Sequence, residues 1–259
     1  MTKSILDRTE DCLNDFFKFH QIRDGLRYSH KESCLALNEQ HLSHLKEGGI
    51  ALFENLYKIV ESNWNGRAPN SEQNWRLTKE LNMKVANPSK EKRLEKKIVG
   101  ENENWFNQSP TASGLADSNR DRKMAVDLVH KKGRKTFEFI ELKINSNTPL
   151  YAAIEILLYG LLYLFYRAQS MECDVWKKPN NKELLNARKI ELKVLAPGQY
   201  YAAYRKNLQN LQDFGSILSG LIGEFAKPKI HGLIMNFNFE EFQAGYDLPE
   251  NRRRLTAVG

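Results

Sequence analysis

The chain has 259 residues, 41% hydrophobic and 27% charged, which is enough apolar material for a buried core and excludes a disordered chain. Thirty-nine Lys+Arg stand against 32 Asp+Glu, a net charge of +7 that favours an acidic partner, nucleic acid first. Cys12, Cys34 and Cys173 form no CxxC pair, which excludes a disulfide scaffold and a zinc site of the usual spacing, and points to a reducing compartment.

The opening MTKSILDRTEDCLNDFF carries acids early and no long apolar run, so it does not read as a signal peptide. The first ~85 residues read as helical, with Leu45, Leu52, Leu56 and Ile59 near helical spacing. Asn63 to Asn74 is rich in Asn, Gly, Pro and Ser and reads as a loop. Ser89 is placed to cap a helix over KEKRLEKKIV, with Gly100 placed to stop it. Trp105 to Pro110, Met124 to His130 and Thr136 to Ile144 read as strands, the last two joined by a short basic loop into an antiparallel hairpin.

Asn147-Thr148-Pro149 then offers a cap and a first-turn proline for a long apolar helix. Its run from Leu150 to Tyr166 is shorter than the ~20 apolar residues of a membrane span and contains Glu155, so it reads as a buried helix of a soluble, cytoplasmic protein with no membrane association. Lys189 to Pro197 reads as a strand, Tyr200 to Ala226 as mostly helix, and Lys229 to Phe239 as a late strand; the tail ENRRRLTAVG reads as loose. Mixed helix and strand order predicts an α/β domain over 87–259, with residues 1–86 a helical extension, either a small domain or a cap.

Asp127, Glu141 and Lys143 carry the chemistry. Glu141 and Lys143 are two apart on one strand and share a face. A hairpin turning about residue 134 sets Asp127 directly opposite Glu141, with Cβ atoms ~4.5–5.5 Å apart. Two carboxylates that close repel unless a cation lies between them. Mg²⁺ takes one or two carboxylates plus waters and substrate phosphate. Lys143 beside it is placed to orient water or to stabilise charge developing at phosphorus. A D…ExK pattern also arises by chance in charged sheet faces. Here, however, the acids are embedded in the apolar runs AVDLV and FEFIELKI, where charges need a reason.

VDLV, a basic hairpin loop, IELK and a following long helix resemble the PD-(D/E)xK, or restriction-endonuclease-like, nuclease superfamily. The resemblance covers Ser89 to about Pro197. It implies an αβββαβ core with a mixed central sheet flanked by helices, and a Mg²⁺- (or Mn²⁺-) dependent hydrolase of DNA phosphodiesters. Asp127 and Glu141 would be metal ligands and Lys143 the catalytic lysine. Glu95 would be the acid that many members carry on the first core helix, with Glu91 as the alternative. The helix after ExK carries Glu155 and Tyr159, an ExxxY pattern where some members have QxxxY, and Val126 stands where the family proline would precede the acid. The second IELK, at Glu191 and Lys193, has only Asp174 upstream across a long polar stretch and reads as the fourth core strand.

Arg122, Lys123, Lys131, Lys132 and Arg134 flank the acids in sequence and are the expected DNA-binding residues, with Lys90, Lys92, Arg93, Lys96 and Lys97 decorating the first core helix. Residues Arg120 to Lys143 hold eight Lys+Arg and four Asp+Glu, a local +4. No HExxH, GxSxG, P-loop or GxGxxG appears. His41 and His44 read as helix surface, and Tyr200, Tyr201 and Tyr204 as packing. The rival expectation is a catalytically inactive nucleic-acid-binding or protein-interaction module on the same fold, and a homodimer is compatible with either.

Overall fold

The computed structural model of the chain describes residues 3–69, 73–82, 88–172, 183–242 and 252–255. Alternating and continuous apolar runs from residue 105 onward form a mixed sheet in sequential order: β1 (Trp105–Pro110), β2 (Ala125–Gly133), β3 (Thr136–Leu142), β4 (Lys189–Pro197) and β5 (Ile234–Phe242), with a short β6 (Arg252–Arg254) at the edge. The pairs β1–β2 and β2–β3 are antiparallel, β3–β4 and β4–β5 parallel, and β5–β6 antiparallel. The late strand thus begins five residues later than its sequence pattern suggested, and part of the tail is an edge strand, not a loose end.

Both parallel connections run through helices, as parallel neighbours require. After β3 comes α5 (Pro149–Glu172); after β4 come α6 (Gly198–Ala202) and α7 (Leu208–Lys229). The Tyr200–Ala226 region is therefore two helices joined by a 3₁₀ turn at Arg205–Asn207. Before the sheet lie α1 (Thr9–Phe17), α2 (Lys31–Ala36), α3 (Glu39–Asn63) and α4 (Lys90–Glu101). Ser89 caps α4 by accepting from the Lys92 N–H at 3.1 Å. Gly100 does not stop α4, which runs through Glu101 to Asn102.

The two sheet faces differ. One carries Phe137, Phe139, Ile190, Leu192, Val194, Phe237 and Phe239 and is covered by α5 and α7; α1 and α3 join the same apolar core from behind. The other is covered at one end by α4, whose Leu94, Ile98 and Val99 pack with Trp105, Leu128, Ile140 and Leu142. Pro149–Met171 is long and apolar enough to cross a membrane but is mostly buried inside the fold.

Residues 73–82 are not helical. Trp75 stacks on Phe139 at 5.7 Å, and the segment hydrogen-bonds along the free edge of β1 through Thr78 Oγ1 to the Asn107 carbonyl (2.6 Å) and the Asn107 N–H to the Thr78 carbonyl (2.9 Å). This covers an edge that would otherwise offer unpaired backbone groups.

Glycines in α7 let it approach β5. A Cβ at Gly223 would stand 3.0 Å from the Met235 carbonyl oxygen, which is backbone and cannot step aside, whereas a Cβ at Gly220 meets nothing. Gly223→Ala is expected to lower stability by about 1–3 kcal/mol, and Gly220→Ala to raise it by about 0.5–1 kcal/mol. Thermal melts of the two variants check the pair; equal shifts of the same sign would contradict the packing described.

Candidate active site

The β2–β3 register pairs Leu128 with Ile140, Val129 with Phe139 and His130 with Glu138, and one further step along it places Asp127 opposite Glu141. The irregularity lies at the turn end, between Lys131 and Gly133. The ladder opens at Asp127, whose Oδ2 accepts the Leu142 N–H at 3.1 Å. One residue beyond β3, the Lys143 N–H donates to the Leu195 carbonyl at 3.0 Å, so β4 fixes the backbone that carries the lysine.

Glu141 is 3% exposed and Lys143 6%. Lys143 Nζ donates to Glu141 Oε1 at 2.5 Å and to Glu155 Oε2, from α5, at 3.1 Å. Burial, and then the charges of Asp127 and Glu155, push the Glu141 carboxyl well above its ordinary range, while Lys143 pulls it back. Burial lowers the Lys143 pKa, but Glu141 and Glu155 outweigh it and hold the amine firmly protonated. One turn after Glu155, the Tyr159 hydroxyl is pushed far up by burial and then by the charges of Glu155, Glu141 and Asp127. The ExxxY pattern therefore faces the same place.

The first core helix contributes Glu95, and the structure separates it from Glu91. Glu95 is 2% exposed and held by Asn107 Nδ2 (2.8 Å), Gln108 Nε2 (3.2 Å) and Lys92 Nζ (2.9 Å). Its pKa is pushed up to about 7, mainly by burial, with Lys92 opposing and Asp127 adding to the rise. Glu91 instead accepts from Ser146 Oγ (2.6 Å) and the Ile144 N–H (3.1 Å), bonds that hold its pKa low against burial. Glu91 fastens the loop after Lys143; Glu95 looks across β1 toward Asp127.

Asn107 and Gln108 belong to this site although the sequence pattern did not single them out. Gln108 has φ +50°, a left-handed conformation that is strained for a non-glycine residue. It falls at the rung of β1 that would pair with Asp127, between Asn107↔Leu128 and Ser109↔Val126, and no pairing forms there. The only sequence signal was a polar Asn-Gln pair within a strand.

The second IELK sits on the other face. In the β3–β4 register Glu138 faces Glu191 and Ile140 faces Lys193, so these side chains lie opposite Glu141. Lys193 Nζ is 2.5 Å from Glu138 Oε1 and 3.3 Å from Glu191 Oε2, and also donates to Glu240 Oε1. His130 Nδ1 (2.8 Å) and Lys132 Nζ (3.3 Å) also reach Glu138. This is a buried ion-pair hub in the fourth core strand. Asp174, its proposed upstream acid, lies outside the described residues.

The basic residues separate. Arg122 and Lys123 are exposed just before β2, close in sequence to Asp127. Lys131, Lys132 and Arg134 stand toward the turn of the hairpin; seven residues separate 134 from the Asp127 rung, about 23 Å of strand. Lys131 pairs with Glu183 (2.6 Å) and Lys132 with Glu138. Their closeness to the acids is closeness in sequence only. On α4, Lys92 holds Glu95 and Lys96 donates to the Asn82 carbonyl.

Among the described residues no group of three or more His, Cys, Asp and Glu side chains forms a cage for a metal ion. A Mg²⁺ site needs fewer protein ligands than that. Asp127 and Glu141 are hard oxygen donors at one rung, and after burial the charge of Asp127 raises the carboxyls of both Glu95 and Glu141, negative charge that a divalent cation would relieve. The residues fit such an ion. No protein-family model, curated protein or solved structure matches the chain.

Proposed function

We propose that the chain is a metal-dependent nuclease acting on DNA, with a restriction-endonuclease-like, PD-(D/E)xK core. One observation carries the reading. Asp127, Glu141 and Lys143 stand at one end of the β2–β3 hairpin, Glu155 from the following helix bonds the Lys143 amine, and Glu95 from the preceding helix lies near enough to Asp127 to feel its charge. Two buried carboxylates and a buried lysine beside two half-buried acids are costly to fold and need a function.

Asp127 and Glu141 would hold Mg²⁺ or Mn²⁺, which when bound supplies an activated water and neutralises charge on the scissile phosphate. The chain's own groups do the rest. Lys143 keeps its proton, so it acts as a donor and fixed positive charge for the phosphate oxygens, not as a base. Glu155 sets the position of that amine through the 3.1 Å bond. Glu95, titrating near neutrality, is poised to take or give a proton at working pH. Arg122 and Lys123 offer charge to the strand beside Asp127.

A second reading, a catalytically inactive module on this fold, has one observation in its favour: the Lys143 ammonium lies against Glu141 at 2.5 Å, where a cation would otherwise sit. Calorimetric titration with Mn²⁺ separates the two. The nuclease reading expects binding heat that disappears in Asp127→Ala. No heat with the wild-type chain, together with salt-dependent DNA binding, would favour the inactive module.

A further inference from the structure

Beside the acids, a pocket of about 580 Å³ opens where the loop after β3 meets α6, the start of α4 and the start of α2. Two lysines from different elements, Lys31 and Lys90, line it, and no aspartate or glutamate does. Asn145, Asn147 and Gln199 add amide groups. Lys31, Lys90 and these three residues are exposed, and none of them hydrogen-bonds or ion-pairs through its side chain with another described residue. Tyr200 also lines the pocket, is 7% exposed, and its hydroxyl has no hydrogen-bond partner among the described residues.

A buried hydroxyl without a partner carries a desolvation cost, and native structures rarely leave one unexplained. The tyrosine that carries it lines a pocket whose charged groups are all cationic and whose asparagine and glutamine amides are uncommitted. The complementary ligand is an anion with several acceptor oxygens. The pocket adjoins the catalytic rung: Asn145 is two residues after Lys143, and the loop between them is tied to α4 by Glu91.

We propose that this pocket binds the terminal phosphomonoester of a DNA strand whose adjoining phosphodiester lies at Asp127, Glu141 and Lys143. The proposal rests on the nuclease reading for the strand that delivers the phosphate. A phosphomonoester carries about −1.5 to −2 charges at neutral pH and three acceptor oxygens, which suits two lysines and a set of free donors. An internal phosphodiester carries a single negative charge and must leave the pocket in two directions.

Fluorescence anisotropy in EDTA tests this without turnover, using short labelled DNA strands that bear a phosphate or a hydroxyl at the 5′ or the 3′ end. The expected result is about tenfold tighter binding of the phosphorylated strand at one polarity, as charge-assisted hydrogen bonds allow. Lys31→Ala/Lys90→Ala should abolish the preference, and Tyr200→Phe, which keeps the ring, should weaken it. Equal affinity for phosphate and hydroxyl ends at both polarities overturns the proposal, as does a preference untouched by these variants. Inorganic phosphate that displaces the probe at concentrations as low as the phosphorylated strand would assign the pocket to a free anion and also overturn it. Cutting assayed separately with metal keeps the outcomes apart. Cutting without an end preference removes the pocket and keeps the nuclease; an end preference without cutting does the reverse.

Discussion

Lys193→Met is expected to destabilise the protein by about 3–5 kcal/mol, the usual cost of removing one partner from a buried ion pair. Lys193 is 3% exposed, and Glu138, Glu191 and Glu240, all buried, converge on its ammonium. Without it, Glu138 keeps only Lys132 at 3.3 Å and the His130 ring among the partners described above. Lys143→Met, in the other copy of the same IELK tetrapeptide, should cost far less stability. Glu141, whose pKa already stands well above its ordinary range, answers the loss by taking a proton. The cost there falls on cutting, expected to drop by about two to three orders of magnitude with the loss of a fixed charge at the phosphate. Urea unfolding of both variants at neutral pH measures the contrast. A Lys193→Met loss under about 1 kcal/mol would show that the cluster is not the structural hub described.

The second large effect is a gain. In the folded chain Glu95 titrates near 7, whereas an unfolded glutamate titrates near ~4.3. Between those values the folded state holds a proton that the unfolded state has lost. Stability therefore falls as pH rises through that window and levels off above it. At ~1.4 kcal/mol per pKa unit, the ionised buried carboxylate costs up to about 4 kcal/mol at pH 8. Glu95→Gln removes that cost. Its amide nitrogen must face Asn107 in one orientation or Lys92 and Gln108 in the other, all donors in the wild-type chain, so part of the gain is returned. The expected net gain is about 1–2 kcal/mol at pH 8, shrinking to near zero at pH 4. The same variant should cut DNA poorly, since the carboxylate is retained at a stability cost. A gain independent of pH, or full activity in the stabilised variant, would contradict the role given to Glu95.

Much of this arrangement was readable from the sequence, for identifiable reasons. The Asp127–Glu141 opposition follows from two strand-like runs symmetric about residue 134, and the observed pairing keeps that register despite an irregular turn. The helix, three strands, helix, strand order from Ser89 follows from Ser89, Pro149 and the β-branched runs. Other features depend on packing that no local pattern encodes. Glu91 and Glu95 lie one turn apart on α4 and differ only in what meets them, a loop N–H and a serine in one case and the Asn107–Gln108 pair in the other. The left-handed Gln108 has no glycine to announce it. Residues 73–82 carry a helix-like sequence yet lie against β1 because Trp75 finds Phe139 and the β1 edge needs partners. The basic hairpin loop was misleading because extended strands carry sequence neighbours far apart: ~3.3 Å per residue moves Arg134 away from Asp127 faster than proximity in the chain suggests. Tyr200 reads as packing in the sequence, and its ring does pack, with Tyr201 at 5.3 Å; only the structure reveals that its hydroxyl has no partner among the described residues.

The most direct test of the central claim is cleavage of plasmid and linear DNA by the purified chain with Mg²⁺ or Mn²⁺, beside Glu141→Ala and Lys143→Ala variants shown by circular dichroism to be folded. The account predicts metal-dependent cutting by the wild-type chain, none in EDTA, and none by either variant. Variants that cut as well as the wild-type chain, or a wild-type chain that binds DNA and leaves it intact with both metals, would contradict it.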